Sequence, residues 1–178
     1  TLTGRPVIVG FGPCGIFAAL ELAQNGYRPI VIERGKGMSD RVKDVENFKN
    51  KGLLNEESNI LFGEGGAETF SDGKLTSGIK DPNIKFVMKT FADAGAGDEI
   101  IYKHKPHIGT DVLRVVIVRL REQIISLGGE VRFGTKLSDI TISNGELKSV
   151  TITSSDGSEE VLETNAMILA TGHSARDT

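Results

Sequence analysis

An apolar strand that runs into three glycines spaced GxGxxG leaves a chain few ways to fold. Here the strand is Pro6–Phe11, the glycines are Gly10, Gly12 and Gly15, and Pro13 and Cys14 fill the gap before the third. Apolar residues at helical spacing follow at Ile16, Ala19, Leu20 and Ala23, and Asn25-Gly26 closes that helix. A second apolar run, Pro29–Glu33, ends in an acid about 20 residues beyond the glycines. Each part has a physical job. Gly10 permits the tight turn off the strand, Gly12 lets a pyrophosphate approach the backbone, and Gly15 lets the helix sit close to the strand. The helix N-terminus offers unpaired N–H groups to phosphates. Glu33 stands where a carboxylate can accept a hydrogen bond from a ribose hydroxyl. A glycine-rich βα turn that binds nothing has the same composition. The flanking strand, the helix and the acid favour dinucleotide binding over that alternative.

Size and charge narrow the classes. With 178 residues, 38% of them hydrophobic, the chain is long enough for one well-buried α/β domain. The net charge of −3 comes from interspersed acids and bases, so nucleic-acid binding is not expected. The longest membrane candidate, Val112 to Leu120, is broken by Arg114 and Arg119, so no membrane span is expected. No signal peptide is visible, and the single cysteine, Cys14, fits a reducing compartment, which points to a cytoplasmic location.

Further along, the periods change in an ordered way. Ser39 or Asp40 is placed to cap a polar helix running to Lys51, with Val42, Val45 and Phe48 on one side. Residues 53–80 have no sustained period, and a loop this long in a compact domain is functional or disordered. Its Phe and Leu residues favour function. Asn83–Ala94 reads as a helix ended by Gly95. Thr110–Leu127 reads as a second helix despite the β-branched run at Val115, because Thr110 or Asp111 can cap it and Gly128-Gly129 stops it. Glu130–Phe133 is a strand. Leu137–Ile142, Leu147–Thr153 and Glu160–Glu163 form a meander over residues 136–164, turning at Asn144-Gly145 and Asp156-Gly157. A last buried strand, Ala166–Ala170, ends in Thr171-Gly172.

That order of elements, with a terminal Ala170-Thr171-Gly172, resembles the glutathione-reductase-type FAD domain. It implies a Rossmann-like α/β fold, with a central parallel sheet and a three-stranded antiparallel meander. The motifs around Gly10–Leu22, Phe62–Leu75, Lys105–Asp111 and Ala170–Thr178 narrow the likeness. Together they resemble the family known as uncharacterised FAD-dependent dehydrogenases, also labelled NAD(FAD)-utilizing dehydrogenases. One departure is Cys14, where that family suggests alanine. The resemblance implies that residues 1–178 are one partial FAD-binding domain, an excerpt of a longer protein whose second, substrate-bearing domain lies outside this chain. The partners expected are a small-molecule redox substrate and the remaining part of that protein.

The resemblance also distributes roles. Glu33 suits a free ribose hydroxyl and would repel a 2′-phosphate. Arg34 is either a lid over adenine or a solvated residue, with a phosphate ligand as the further alternative. Arg41 is either a pyrophosphate partner or a solvated helix residue. Leu137 matches the position whose backbone reads adenine, and Thr171 and Gly172 match the second glycine signature. Ser71, Gly73 and Lys74 are placed beside the flavin ring, with Lys74 able to stabilise negative charge there, or else form an idle turn. The catalytic residues are not identified; the candidates are Lys74, His107 and His173, although a lone histidine is more often structural. No metal site is expected. A disulfide-reductase mechanism needs a dithiol, which one cysteine does not supply. The favoured reading is an FAD-dependent oxidoreductase, with NAD(P)H as the candidate electron donor or acceptor. A flavin-free NAD-binding dehydrogenase domain and a non-catalytic dinucleotide-binding module remain as alternatives.

Overall fold

A computed structural model describes residues 2–70, 81–102 and 108–172. In chain order its elements are β1 (Val7–Val9), α1 (Pro13–Gln24), β2 (Ile30–Glu33), α2 (Met38–Lys51), α3 (Asn83–Phe91), α4 (Glu99–Tyr102) and α5 (Thr110–Ser126). Then come β3 (Glu130–Phe133), β4 (Thr135–Ser143), β5 (Glu146–Ser154), β6 (Glu159–Glu163) and β7 (Met167–Leu169). A 3-10 turn at Ala67–Phe70 ends the first part of the long loop.

Two sheets result. The first is parallel, ordered β3-β2-β1-β7, and the second is the antiparallel meander β4-β5-β6. The period-2 alternation of the parallel strands assigns their faces. Ile8 and Val31 join α1 and α5 in a core with Leu20, Val116, Leu120 and Ile124. Val7, Val9, Ile30 and Ile32 pack on the other side against Val150 and Ile152 of the meander. Helices, parallel sheet and meander therefore form three layers, the expected Rossmann-like α/β architecture. The turns at Asn144-Gly145 and Asp156-Gly157 fall where the hairpin signals place them. No helix among the described residues is long and apolar enough to cross a membrane.

Four local expectations change. Helix α2 starts at Met38 with Gly37 as its N-cap, and neither Ser39 nor Asp40 caps it. The acceptor for its first N–H comes from far away: Glu64 Oε2 accepts from Met38 N. The buried stripe of α2 is Met38, Arg41 and Val45, whereas Phe48 is 38% exposed, because the Arg41 side chain occupies the centre of the interface. Helix α3 ends at Phe91 and gives way to a π-helical turn, Ala92–Ala96, kinked at Gly95 with φ 107°. Helix α5 is N-capped by Gly109 rather than by Thr110 or Asp111.

Candidate functional site

The C-terminal end of β1 leads into the glycine motif and that of β2 carries Glu33, and the three glycines divide by what the protein itself requires. A Cβ on Gly10 would lie 2.4 Å from the Ala170 carbonyl oxygen, and φ there is +103°. A Cβ on Gly15 would lie 1.9 Å from the Gly10 carbonyl oxygen. Both are demanded by packing. Gly12 is different: its backbone is extended, and an added Cβ would meet only Gly66 Cα, at an ordinary 3.7 Å. Among the described residues nothing forbids a side chain at Gly12. It is the N-cap of α1, and no side chain caps the first turn, which Pro13, Cys14 and Gly15 open. Cys14 is exposed.

The second glycine signature closes on the first. Ala170 N–H donates to Val9 O at 2.8 Å, and the Gly10 Cβ position is 3.4 Å from Thr171 N. Thr171 and Gly172 thus leave β7 beside the phosphate turn, with Gly172 at φ +80° and open space around it.

Glu33 is 6% exposed, and its carboxylate is already engaged. Oε2 accepts from Phe11 N–H at 2.9 Å and Oε1 from Gly35 N–H at 2.8 Å. It ties the β1–α1 turn to the β2–α2 turn, and each oxygen keeps acceptor capacity for a ribose hydroxyl. Arg34 forms a two-pronged ion pair with Glu57, with Nη2 to Oε1 at 3.0 Å, and lies 6.0 Å from the Phe62 ring. Both members are about half-exposed. That hydrogen bond raises the Arg34 pKa and holds Glu57 below the usual carboxylate range. Leu137 is half-buried against the meander core and pairs with Ile152, just before an irregularity in β4. The strand reaches this neighbourhood because Gly134 N–H donates to Gly35 O at 3.0 Å.

Arg41 takes a place that its polar surroundings in sequence do not suggest. It is fully buried. Nε donates to Asn59 O, Nη2 to Ile60 O, and Nη1 to the carbonyls of Gly63, Glu64 and Gly66. Burial lowers its pKa to about 10, against which the nearby Glu33 and Glu64 charges act, so it stays a cation near neutrality. Its donors shape the loop over residues 59–66, and that loop lies on the phosphate turn. Gly65 N–H donates to Phe11 O at 2.8 Å, and a Cβ on Gly66 would come within 3.1 Å of Gly12 Cα.

The same loop brings in residues that carry no motif. Glu64 is fully buried and pairs with Arg121 of α5 at 2.9 Å. Desolvation raises its pKa, with the Arg121 and Arg41 charges opposing. Phe70 receives Arg41 and Arg114, whose guanidinium carbons lie 4.6 and 4.4 Å from its ring centre. Arg41, Arg114 and Arg121 lie in a cluster with Glu33 and Glu64 beside the turn, and Asp111 stands 3.6 Å from Arg114. One sequence signal for it exists: Arg114 and Arg121 are seven apart on α5, on the stripe that also holds buried Ile117. Ser71, Gly73, Lys74, His107 and His173 lie outside the described residues.

Comparisons with known proteins agree with this geometry. The family described as pyridine nucleotide-disulphide oxidoreductase matches residues 4–178. The chain is 51% identical over 177 residues to an uncharacterized protein of Clostridium beijerinckii, covering 99% of this chain and 32% of that protein. It is 26% identical over 167 residues to mitochondrial dihydrolipoyl dehydrogenase of Mus musculus, covering 93% of this chain and 27% of that one. The chain therefore spans about a third of the length of these curated relatives. Among solved structures, THI4 of Thermovibrio ammonificans superposes with a TM-score of 0.59 at 17% identity, over 96% of this chain and 58% of that one. A 3-ketosteroid-delta4-(5alpha)-dehydrogenase of Rhodococcus jostii RHA1 gives 0.58 at 15% identity, over 95% and 46%. At these identities the two structures bear on the fold alone.

Proposed function

The chain belongs to the pyridine nucleotide-disulphide oxidoreductase family, whose members use FAD with NAD(P)H as electron partner, and from that premise we propose that it is the FAD-binding part of a flavin-dependent oxidoreductase. The observation that carries the reading is Gly12, the one glycine of the motif whose bareness the polypeptide does not need. In this reading Gly10, Gly12, Pro13, Cys14 and Gly15 receive the pyrophosphate at the N-terminus of α1. Glu33 accepts from the adenosine ribose, Arg34 lies over the adenine side, and the backbone at Leu137 reads the base. Thr171 and Gly172 pass along the cofactor. Arg41 serves the pyrophosphate indirectly, through the loop it holds on the turn.

When bound, FAD supplies a two-electron acceptor and donor. The residues of this chain bind and orient it. Ser71, Gly73 and Lys74, in the glycine-containing stretch of the long loop, are the residues proposed to approach the flavin ring. With Cys14 as its only cysteine, the segment does not form a redox dithiol of its own, so the redox substrate in this proposal is met by residues elsewhere in the longer protein. The test is the visible spectrum of the purified full-length protein, with extraction of its cofactor. A released flavin carrying an adenosine diphosphate half is the expected result. Colourless protein that binds NAD in its place would overturn the reading, and bound flavin that no reductant bleaches would leave a binding module without turnover.

A further inference from the structure

Glu64 is the largest buried acid that the reading above leaves without a role. It sits at the centre of Phe62-Gly-Glu-Gly-Gly66, the stretch that lies on the phosphate turn. Its Oε2 accepts from Met38 N–H at the start of α2 and from Arg121 Nη1 at 2.9 Å, while Oε1 is buried with no hydrogen-bond partner among the described residues. Its own backbone N–H donates to Lys36 O, and the next residue, Gly65, donates to Phe11 O. One side chain thus connects three elements: the loop, the N-terminus of α2 and the middle of α5. Arg121 in turn lies 5.6 Å from the Phe133 ring at the end of β3.

We propose that Glu64 and Arg121 form a buried clasp that seats this loop on the phosphate turn, and that Arg121 is a positioning residue for the dinucleotide because it neutralises Glu64. The proposal rests on the FAD reading only for what the turn holds. A buried carboxylate stripped of its cation is far more costly than an intact pair. Loss of Arg121 therefore drives the loop off the turn, where Glu64 can regain water. The charged groups facing Glu64 are Arg121 from α5, Arg41 from α2 and Glu33 from β2. Arg41 remains when Arg121 is removed, but its donors are spent on five carbonyls. The sign of the pH effect follows from burial. The Glu64 pKa is higher with the loop seated than in water, so protonation favours seating, and seating weakens as pH rises through that raised value.

The test uses the full chain and three forms: wild type, Arg121→Met, and Arg121→Met combined with Glu64→Gln. Glutamine is neutral and keeps an oxygen for Met38 N–H. Seating is read by hydrogen exchange at the Gly65 amide, and affinity by titration with FAD. At neutral pH Arg121→Met is expected to lose roughly tenfold in both, with the loss shrinking as the pH is lowered and Glu64 takes up a proton. The double variant is expected to recover to within about threefold of wild type. A merely structural role for Arg121 would give a pH-independent loss that Glu64→Gln does not restore, and that result overturns the clasp, as does an Arg121→Met protein that behaves as wild type. If the single variant fails to fold, a folded double variant supports the clasp and an unfolded one overturns it. A wild-type protein that binds no FAD defeats the cofactor reading alone, since Gly65 exchange still decides the clasp.

Discussion

Glu33→Ala is expected to damage the protein before any ligand is added. The carboxylate accepts from two buried backbone donors, Phe11 N–H at 2.9 Å and Gly35 N–H at 2.8 Å. Alanine removes both acceptors and leaves no side chain that reaches either amide. Each orphaned buried donor costs about 1–3 kcal/mol, so the pair implies a loss of about 2–6 kcal/mol in the cofactor-free protein. For a domain of this size about 1 kcal/mol moves Tm by roughly 2–4 °C, so the drop should be at least about 4 °C. The assay is thermal unfolding of cofactor-stripped wild type and variant, followed by FAD titration below both transitions. Affinity should fall by a further 1–3 kcal/mol or so, for the ribose hydrogen bond. A cofactor-free Tm within about 2 °C of wild type would refute the double-acceptor role. Unchanged FAD affinity would remove Glu33 from the binding site.

Gly12→Ala should leave cofactor-free stability within about 1 kcal/mol of wild type and weaken FAD binding, since its Cβ meets only Gly66 Cα at 3.7 Å; Gly12→Val should abolish binding, and retained stoichiometric flavin in that variant would misplace the pyrophosphate. Gly10→Ala should instead destabilise the protein itself, because φ is +103° and the Ala170 oxygen stands 2.4 Å away, and a Tm equal to wild type would count against that contact. Arg41→Met should open the loop at residues 59–66 to limited proteolysis and cost about 3 kcal/mol or more, with unchanged cleavage as the contrary result. Glu130 is held below the usual carboxylate range by Arg132 and then by Arg5, so its contribution is present above the ordinary glutamate value and lost as acid carries the pH down through the lowered one. Glu130→Gln should therefore flatten part of the acid limb of a stability-against-pH curve, and an unaltered limb would exclude it.

The layers were legible because they rest on local periods. The alternation of Val7, Ile8 and Val9, the helical spacing from Ile16 to Ala23, and the Asn144-Gly145 and Asp156-Gly157 turns each report structure over a few residues. The β-branched run in α5 was decided by length, and the helix does span Thr110–Ser126. What stayed hidden depends on distant partners. Glu64 and Arg121 are 57 residues apart, and a buried ion pair of that separation leaves no periodic trace. The first turn of α2 is satisfied by Glu64 instead of Ser39 or Asp40 for the same reason. Arg41 looks like one more polar helix residue until the loop carbonyls that it serves are placed around it. In the candidate site, spacing alone pointed to the turn and its acid. The loop lying on that turn is legible as a long stretch without period whose Phe and Leu residues favour function, but its seat on the turn is not.

The contact between Gly10 and Ala170 carries a consequence for biogenesis. The cradle is built from residues near the start of the segment and others 160 positions later, and β7 joins the sheet beside β1 only once that later stretch exists. Until residue 170 has left the ribosome, a nascent chain therefore displays a glycine turn with one wall missing. Long-range closure of this kind is slow compared with the formation of α1 or the meander hairpins. In the proposed reading, cofactor loading therefore waits for β7 and does not begin with the glycine turn alone.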